Sequence, residues 1–194
     1  MNIFFKTENK GFTLVETLVA VAIFATSITA LISITARGIN NNIFVKNKLI
    51  ASYLSQEGVE LVRNMRDSAV LPENSVPWDV FLSDTENWIG ECYSSTVQGS
   101  NACYVDGATS ELSAFECIDG VCPVLGFDEQ SSTYSYSVIT DSIFTRTITV
   151  RPIESGNNQE VLVDSIVEWS QGSNTYRVSY KYNLFNWFDP PPQL

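Results

Sequence analysis

Lys10-Gly-Phe-Thr-Leu-Val-Glu16 is followed without a break by an uncharged, mostly apolar run over residues 17–36. This run of about 20 residues would form a helix about 30 Å long at roughly 1.5 Å per residue, which is enough to cross the hydrocarbon core of a bilayer. Glu16 stands at the edge of the span. An ionised carboxylate is costly in lipid, so Glu16 requires a partner.

The order of polar and apolar segments differs from that of an ordinary secretory signal. In such a signal the apolar stretch precedes a small-residue cleavage site and is removed with it. The candidate cleavage site here, between Gly11 and Phe12, precedes the apolar stretch. Cleavage would discard a short polar leader, residues 1–11, and would leave the hydrophobic helix as an N-terminal anchor.

The segment from Lys10 to Glu16 resembles the N-terminus of type IV pilins and pseudopilins. The resemblance implies that Gly11 is the last leader residue cut by a membrane prepilin peptidase, and that Phe12 becomes the N-methylated N-terminus. It also implies that Glu16 neutralises the α-amino group of a neighbouring subunit inside a filament. An amine and a carboxylate buried in an apolar bundle are costly alone and tolerable as a pair. The alternative is a plain signal anchor with an incidental glutamate.

The helix is predicted to continue well beyond the membrane. No proline precedes Pro72, although many major pilins carry one about twenty residues after the cut, and residues 51–66 look like the second helix half of PilV-type minor pilins. We predict one helix over residues 13–66, with a transmembrane or filament-core part at 12–36 and an amphipathic part at 37–67. The apolar stripe expected to pack on a sheet comprises Ile39, Ile43, Ile50, Leu54, Leu61 and Met65.

Composition sets limits on partners and on domain number. The chain has 194 residues and a net charge of −11, and loss of Lys6, Glu8 and Lys10 with the leader makes the side-chain charge one unit more negative. Such a surface repels nucleic acid, so no direct nucleic-acid binding is expected. Residues 68–194 are predicted to form one extracytoplasmic globular domain, and the resemblance implies a cytoplasmic N-terminus.

Residues 68–132 are predicted to be a long loop-rich stretch with one short helix at about 78–89 that starts after Pro77. Its apolar residues are interpreted as core that covers the sheet edge, with an exposed binding surface as the alternative. These residues are Trp78, Phe81, Leu82, Trp88 and Ile89.

All four cysteines fall in this stretch, which indicates an oxidising compartment and two disulfides. Four cysteines allow three connectivities. We predict Cys92–Cys103 and Cys117–Cys122, because both pairs close local loops. The spacing is unlike that of a zinc site, and the chain has no histidine.

Neither a metal site nor catalysis is predicted. Asp106, Asp119 and Asp128 could offer oxygens to calcium, but their surroundings lack the EF-hand spacing and indicate turns. Without histidine, no nucleophile has a recognisable base, and no phosphate-binding glycine loop is present. The protein is therefore predicted to be no enzyme and to need no cofactor.

The last third of the chain alternates apolar and polar residues. Alternation over 134–138, 143–150, 161–169 and 176–182 predicts four strands in an antiparallel meander, with turns at about 140–142, 154–158 and 171–174. Arg146 falls on the same side as Phe144 and Ile148. The fold class is therefore α+β and pilin-like. The tail, residues 186–194, cannot continue the sheet through three prolines; Trp187 and Phe188 could tuck it against the domain, and a docking peptide is the alternative.

These features together predict a minor pilin of a type IV pilus, assembled into the filament or at its tip. The alternatives are a minor pseudopilin of a type II secretion or DNA-uptake system, and a membrane-anchored surface binding domain that does not assemble. The expected partners are other pilin subunits, prepilin peptidase, the inner-membrane assembly platform and the membrane. The expected location is a single-pass membrane protein before assembly and an extracellular filament afterwards.

Overall fold

The computed structural model describes residues 11–71, 76–108, 112–138 and 140–187. Most of the predicted leader, Pro72 and the tail beyond Trp187 lie outside these residues. The chain divides into two compact units, of which the first ends at Val45 and the second begins at Lys46. Each unit is described by itself.

A single helix, α1, runs from Leu14 to Ala69 without interruption. The prediction of one long helix over residues 13–66 is confirmed. No proline occurs within it, and Gly38 does not break it even though glycine is weakly helix-forming.

The buried face of α1 differs in part from the predicted stripe. Leu54 and Met65 are buried as expected, whereas Ile39 and Ile43 are exposed and Leu61 is only half-buried. The predicted stripe contained only large apolar side chains. The helix packs on the sheet partly through small residues, which allow its backbone to lie close to the sheet. The buried positions are Ala51, Leu54, Ser55, Gly58, Val59, Val62, Met65, Arg66 and Ala69.

Gly58 marks the closest approach of α1 to the sheet. A Cβ atom at this position would lie 2.4 Å from Ser165 Oγ and 3.0 Å from Arg146 Cδ. One turn earlier, Ser55 Oγ donates a hydrogen bond of 2.7 Å to the carbonyl of Ser165. At Ser55 and Gly58 the helix therefore approaches Ser165 of β6 through a hydroxyl group and a hydrogen atom, while Val59 and Val62 pack in the core beside it.

Gly58→Ala is expected to destabilise the second unit by about 1–3 kcal/mol, because the added methyl overpacks a site with no free space. In a solvent-exposed helix the same change would stabilise by about 1 kcal/mol. Gly38→Ala is the matched control, since no atom of the described part of the chain lies within 4 Å of the position that its added Cβ would occupy. Thermal unfolding of the full chain in detergent measures the stability of both variants. An unfolding midpoint of Gly58→Ala equal to or above that of the parent protein would contradict the close approach.

Three long strands form the centre of the sheet, β5 Asp141–Glu154, β6 Asn157–Gln171 and β7 Asn174–Phe185. They pair antiparallel in sequence order through two-residue loops, as the meander prediction requires. Gly156 and Gly172 occupy these loops with φ of 77° and 64°, a conformation that glycine adopts without strain. Inward residues of β6, such as Val163 and Val167, pack beneath α1 and are buried.

The prediction that the strand at 134–138 begins the meander is wrong, because the strand found there does not pair with the next long strand. The strand β4 Thr133–Ser135 pairs with β3 Val124–Asp128 and not with β5. Within the described residues the sheet has seven strands, because the stretch predicted as loops also contains β1 Cys103–Val105 and β2 Ala114–Glu116. Strands of three residues are too short to show a clear alternation in sequence.

The predicted helix at 78–89 is shorter than expected. The helix α2 covers Trp78–Ser83, and a single 3-10 turn follows at Gly90–Cys92. The helix α2 ends at Ser83 because the next residue, Asp84, turns the chain: its carboxylate accepts hydrogen bonds from the backbone N–H groups of Glu86 and Asn87. The prediction that the apolar residues of this stretch belong to the core is confirmed for Trp78, Phe81, Leu82 and Ile89, which are buried. Trp88 is partly buried and packs against this cluster.

The three aspartates considered for calcium lie in turns. Asp106 and Asp128 accept hydrogen bonds from the backbone N–H groups two residues further on, of Ala108 and Gln130, respectively. Asp119 has a φ of 52° and precedes Gly120 in a tight turn. Within the described residues no group of three potential metal ligands comes together.

Candidate processing and assembly segment

The Gly11–Phe12 peptide bond lies in a short non-helical segment before α1. Both residues are exposed, and among the described residues no atom lies within 4 Å of the position that a Cβ of Gly11 would occupy. Phe12 is 79% exposed, although it is a large apolar residue. The segment therefore presents an accessible peptide bond immediately before a hydrophobic helix.

Thr13 caps the first turn of the helix. Its Oγ1 accepts a hydrogen bond of 3.3 Å from the backbone N–H of Glu16, and its carbonyl accepts one from the N–H of Thr17. The spacing Thr-x-x-Glu is that of a capping box, and a carboxylate in the first turn complements the positive end of the helix dipole. Sequence reasoning missed this role of Thr13, although the spacing was visible.

The first part of α1 is apolar all round. A helix of this kind is found in a membrane or inside a helical bundle rather than on a soluble surface. Its length and composition suffice to cross a bilayer, and no residue of the apolar window is buried in the structure. The exposed large side chains here are Leu14, Val15, Leu18, Val19, Val21, Ile23, Phe24, Ile28, Leu31, Ile32 and Ile34.

Every hydroxyl in residues 17–36 is hydrogen-bonded within the helix. Each donates to a carbonyl three or four residues earlier, such as Ser27 Oγ to Ile23 at 2.7 Å and Thr35 Oγ1 to Leu31 at 2.9 Å. This arrangement satisfies the hydroxyls without water, so they carry little cost in lipid. The same pattern holds for Thr17, Thr26, Thr29 and Ser33.

Glu16 is therefore the one strongly polar group of this surface. Its side chain is exposed in the first turn, and the next carboxylate along the chain is Glu57. All other polar groups of residues 17–36 are satisfied inside the helix. Residues 11–36 contain no lysine or arginine, so no side chain of this segment can neutralise Glu16 in an apolar environment.

Comparison with protein families supports this view of the segment. The family model of the prokaryotic N-terminal methylation motif matches residues 6–32. The chain carries the N-terminal methylation motif of type IV pilins and pseudopilins. The motif implies processing by prepilin peptidase and handling by the pilin assembly machinery, and it is typical of structural proteins that are not enzymes. No curated protein and no solved structure gives a significant match to the chain.

Two disulfides lie in the second unit, Cys92–Cys103 and Cys117–Cys122, which are the pairs favoured in the sequence analysis. Their Cα atoms are 4.9 and 4.4 Å apart. The first bond joins the 3-10 turn to β1 inside the core, and the second closes a turn between β2 and β3. The bonds therefore tie together the segments in which regular structure is shortest.

Replacing Cys92 and Cys103 with alanine is expected to cost about 2–5 kcal/mol, because the bond is in the core and closes the longer loop. The pair Cys117→Ala and Cys122→Ala should cost less, since it closes a shorter loop outside the core cluster. Chemical denaturation of the two full-length double variants compares them. A larger loss for the second pair would contradict this ranking.

The alternation in the sequence placed Arg146 on the inward side of its strand, but sequence reasoning missed the partners of this buried charged group. The side chain of Arg146 is 2% exposed and lies 3.2 Å from the Glu57 carboxylate. Its guanidinium also donates to the carbonyls of Val105, at 2.8 Å, and Leu54. The ring of Tyr136 lies 5.7 Å from the guanidinium carbon, and burial raises the pKa of this tyrosine although Arg146 acts in the opposite direction. Arg146 thus links α1, β1 and β5.

Proposed function

We propose that this chain is a minor subunit of a type IV pilus, cleaved between Gly11 and Phe12, methylated at Phe12 and added to the filament or its tip through α1. The observation that carries the proposal is the exposed apolar helix with one carboxylate, Glu16, directly after an accessible Gly-Phe bond. The methylation motif at residues 6–32 supports it. In this proposal residues 1–11 are the leader, 12–36 the filament-core helix, 37–67 its amphipathic continuation and 68–194 the outer domain.

The role of Glu16 follows from its surroundings. The α-amino group that cleavage would create at Phe12 lies one helical turn before Glu16 in the same chain. A carboxylate and an amine buried in an apolar bundle stabilise each other far more than either is stabilised alone. We infer that Glu16 pairs with the Phe12 amine of a neighbouring subunit and thereby sets the axial register of the chain in the filament.

The assignment as a minor subunit rests on the second unit. The described residues at 76–108 and 112–138 contain two short helical segments, four short strands and both disulfides. Such an irregular surface suits a subunit at a tip or at scattered positions more than one repeated in a lattice. The alternatives are a minor pseudopilin of a secretion or DNA-uptake system and a surface binding domain that stays in the membrane.

Quantitative mass spectrometry of purified filaments tests the assignment. We expect peptides of this chain in filaments from the host, at a small fraction of the amount of the main subunit. Finding this chain as the dominant subunit would contradict the minor assignment. Its absence from filaments, with normal amounts in membranes, would favour the non-assembling alternative.

A further inference from the structure

The turn closed by the Cys117–Cys122 disulfide forms a rigid apolar projection, which we call the disulfide turn (residues 117–122). Ile118 and Val121 occupy its corners and are 82% and 71% exposed. The N–H of Val121 donates to the carbonyl of Ile118 at 2.9 Å, and the central residues Asp119 and Gly120 both have positive φ. A covalently closed turn of this kind loses little entropy on binding. Its two apolar corners are unusually exposed for a folded domain.

An open apolar groove lies elsewhere on the same unit. It runs between α1 and the β3–β4 hairpin and has a volume of about 370 Å³, which is within the range of binding clefts. Ile50, Tyr53 and Leu54 line it from the helix, and Thr133 and Tyr134 line it from the hairpin. We call it the α1–β4 groove.

The groove and the disulfide turn lie at opposite ends of β3. This strand begins at Val124, two residues after the disulfide turn. It ends at Asp128, just before the loop of the β3–β4 hairpin, which borders the groove. A projection and a groove at different places on one domain make a heterologous contact. Contacts of this type join copies head to tail, into a closed ring or an open chain according to the rotation between copies.

Charge also matches the two surfaces. Lys46 lies one helical turn before Ile50 on the same face of α1, so it stands at the end of the groove. Asp119 stands at the tip of the disulfide turn. Neither belongs to an ion pair within the described part of the chain. The one carboxylate that lines the groove, Glu57, is paired with Arg146, which removes its repulsion of an approaching aspartate.

We propose that the disulfide turn of one copy of this chain docks in the α1–β4 groove of a second copy, with Ile118 and Val121 against Ile50 and Tyr53 and with Asp119 beside Lys46. The contact is small compared with the area of about 1,000 Å² that a stable complex needs, so it acts as one weak contact among neighbours. It requires neither leader cleavage nor Glu16 and joins copies of the chain before they enter a filament, so it stands apart from the proposed function and from the small number of copies expected in filaments.

Site-specific photocrosslinking tests this contact. The full chain in detergent micelles carries benzoylphenylalanine at Ile118 and is mixed with full chain labelled with heavy nitrogen and lacking the probe. After irradiation and trypsin digestion, we expect mixed-isotope products that join the peptide containing residue 118 to the peptide of residues 49–63. A probe at Ile143, which is exposed on β5, is the control. Products from position 118 that are no more frequent than from position 143, or that map outside the groove, would overturn the proposal.

A charge reversal tests the pairing within the contact. Lys46→Glu is expected to lower the yield of mixed-isotope crosslinks about 2- to 5-fold, the effect of replacing one weak surface attraction with repulsion. Lys48→Glu makes the same change in net charge on the other side of the helix and should leave the yield unchanged. Equal effects of the two variants would overturn the assignment of Lys46 to the groove.

Discussion

Glu16→Ala is expected to reduce incorporation of the chain into filaments by about 100-fold or more, while the amount of processed protein in the membrane stays normal. In the proposed filament core this change leaves the α-amino group of a neighbouring subunit buried without a counter-charge. Breaking a buried ion pair by removing one partner costs about 3–5 kcal/mol. Each 1.4 kcal/mol corresponds to a factor of ten in the equilibrium.

The structure makes Glu16 a selective target. Its side chain is exposed, and the capping bond of the first turn uses the backbone N–H of residue 16 and the Thr13 hydroxyl, so alanine keeps that bond and loses only the dipole interaction of the carboxylate, about 0.3–1 kcal/mol. The substitution therefore removes the charge and leaves the helix intact. Alanine is also a better helix former than glutamate.

The control for this experiment keeps the charge. Glu16→Asp should retain part of the incorporation, because a shorter carboxylate still offers a counter-charge at a longer distance. Filaments and membranes are compared by quantitative immunoblotting in the two variants and the parent strain. Incorporation of Glu16→Ala at the parent level would show that the chain does not use this carboxylate for assembly.

Arg146→Ala is expected to destabilise the second unit by about 3–5 kcal/mol, which lowers the unfolding midpoint of the full chain in detergent by roughly 10 °C. The change empties the space of a large, fully buried side chain. It also leaves the buried carbonyl of Val105 without the donor that lies 2.8 Å away. An unsatisfied buried acceptor alone costs about 1–3 kcal/mol.

Two further variants test whether the loss of stability is specific to the buried guanidinium of Arg146. Arg146→Lys keeps the charge but not the planar set of donors that reaches Val105, Leu54 and Glu57 together, so an intermediate loss is expected. Arg63→Ala breaks an exposed pair with Glu60 on the same helix and should change stability by less than about 1 kcal/mol. Equal midpoints for Arg146→Ala and Arg63→Ala would contradict the central position of Arg146.

Local patterns in the sequence predicted the long helix and the three long strands well. The uncharged run at 17–36 and the absence of proline before Pro72 indicated the helix, which has about fifteen turns over Leu14–Ala69, and β5, β6 and β7 are long enough to show their alternation. The position of Arg146 on the inward side of β5 followed from the same alternation. Its partners did not, because Leu54 and Glu57 are some ninety residues away in sequence.

The errors have a common physical origin in contacts between distant segments. The buried face of α1 uses Ala51, Ser55 and Gly58, whose burial reflects how close the sheet lies and not their own hydrophobicity. The strand β4 pairs with β3, which in turn pairs with β5, so β3 separates β4 from the strand that the meander prediction made its partner. No periodicity within a three-residue strand can indicate its partner.

The intact N-terminal mass of the chain, recovered from membranes of its host, tests whether the chain is cleaved after Gly11 and methylated at Phe12. We expect a chain that begins at Phe12 and carries one added methyl group, and an unprocessed chain beginning at Met1 in cells that lack prepilin peptidase. A chain that still carries residues 1–11 in normal cells would contradict the account. The assignment of Gly11, Phe12 and Glu16 to processing and assembly would then fall together.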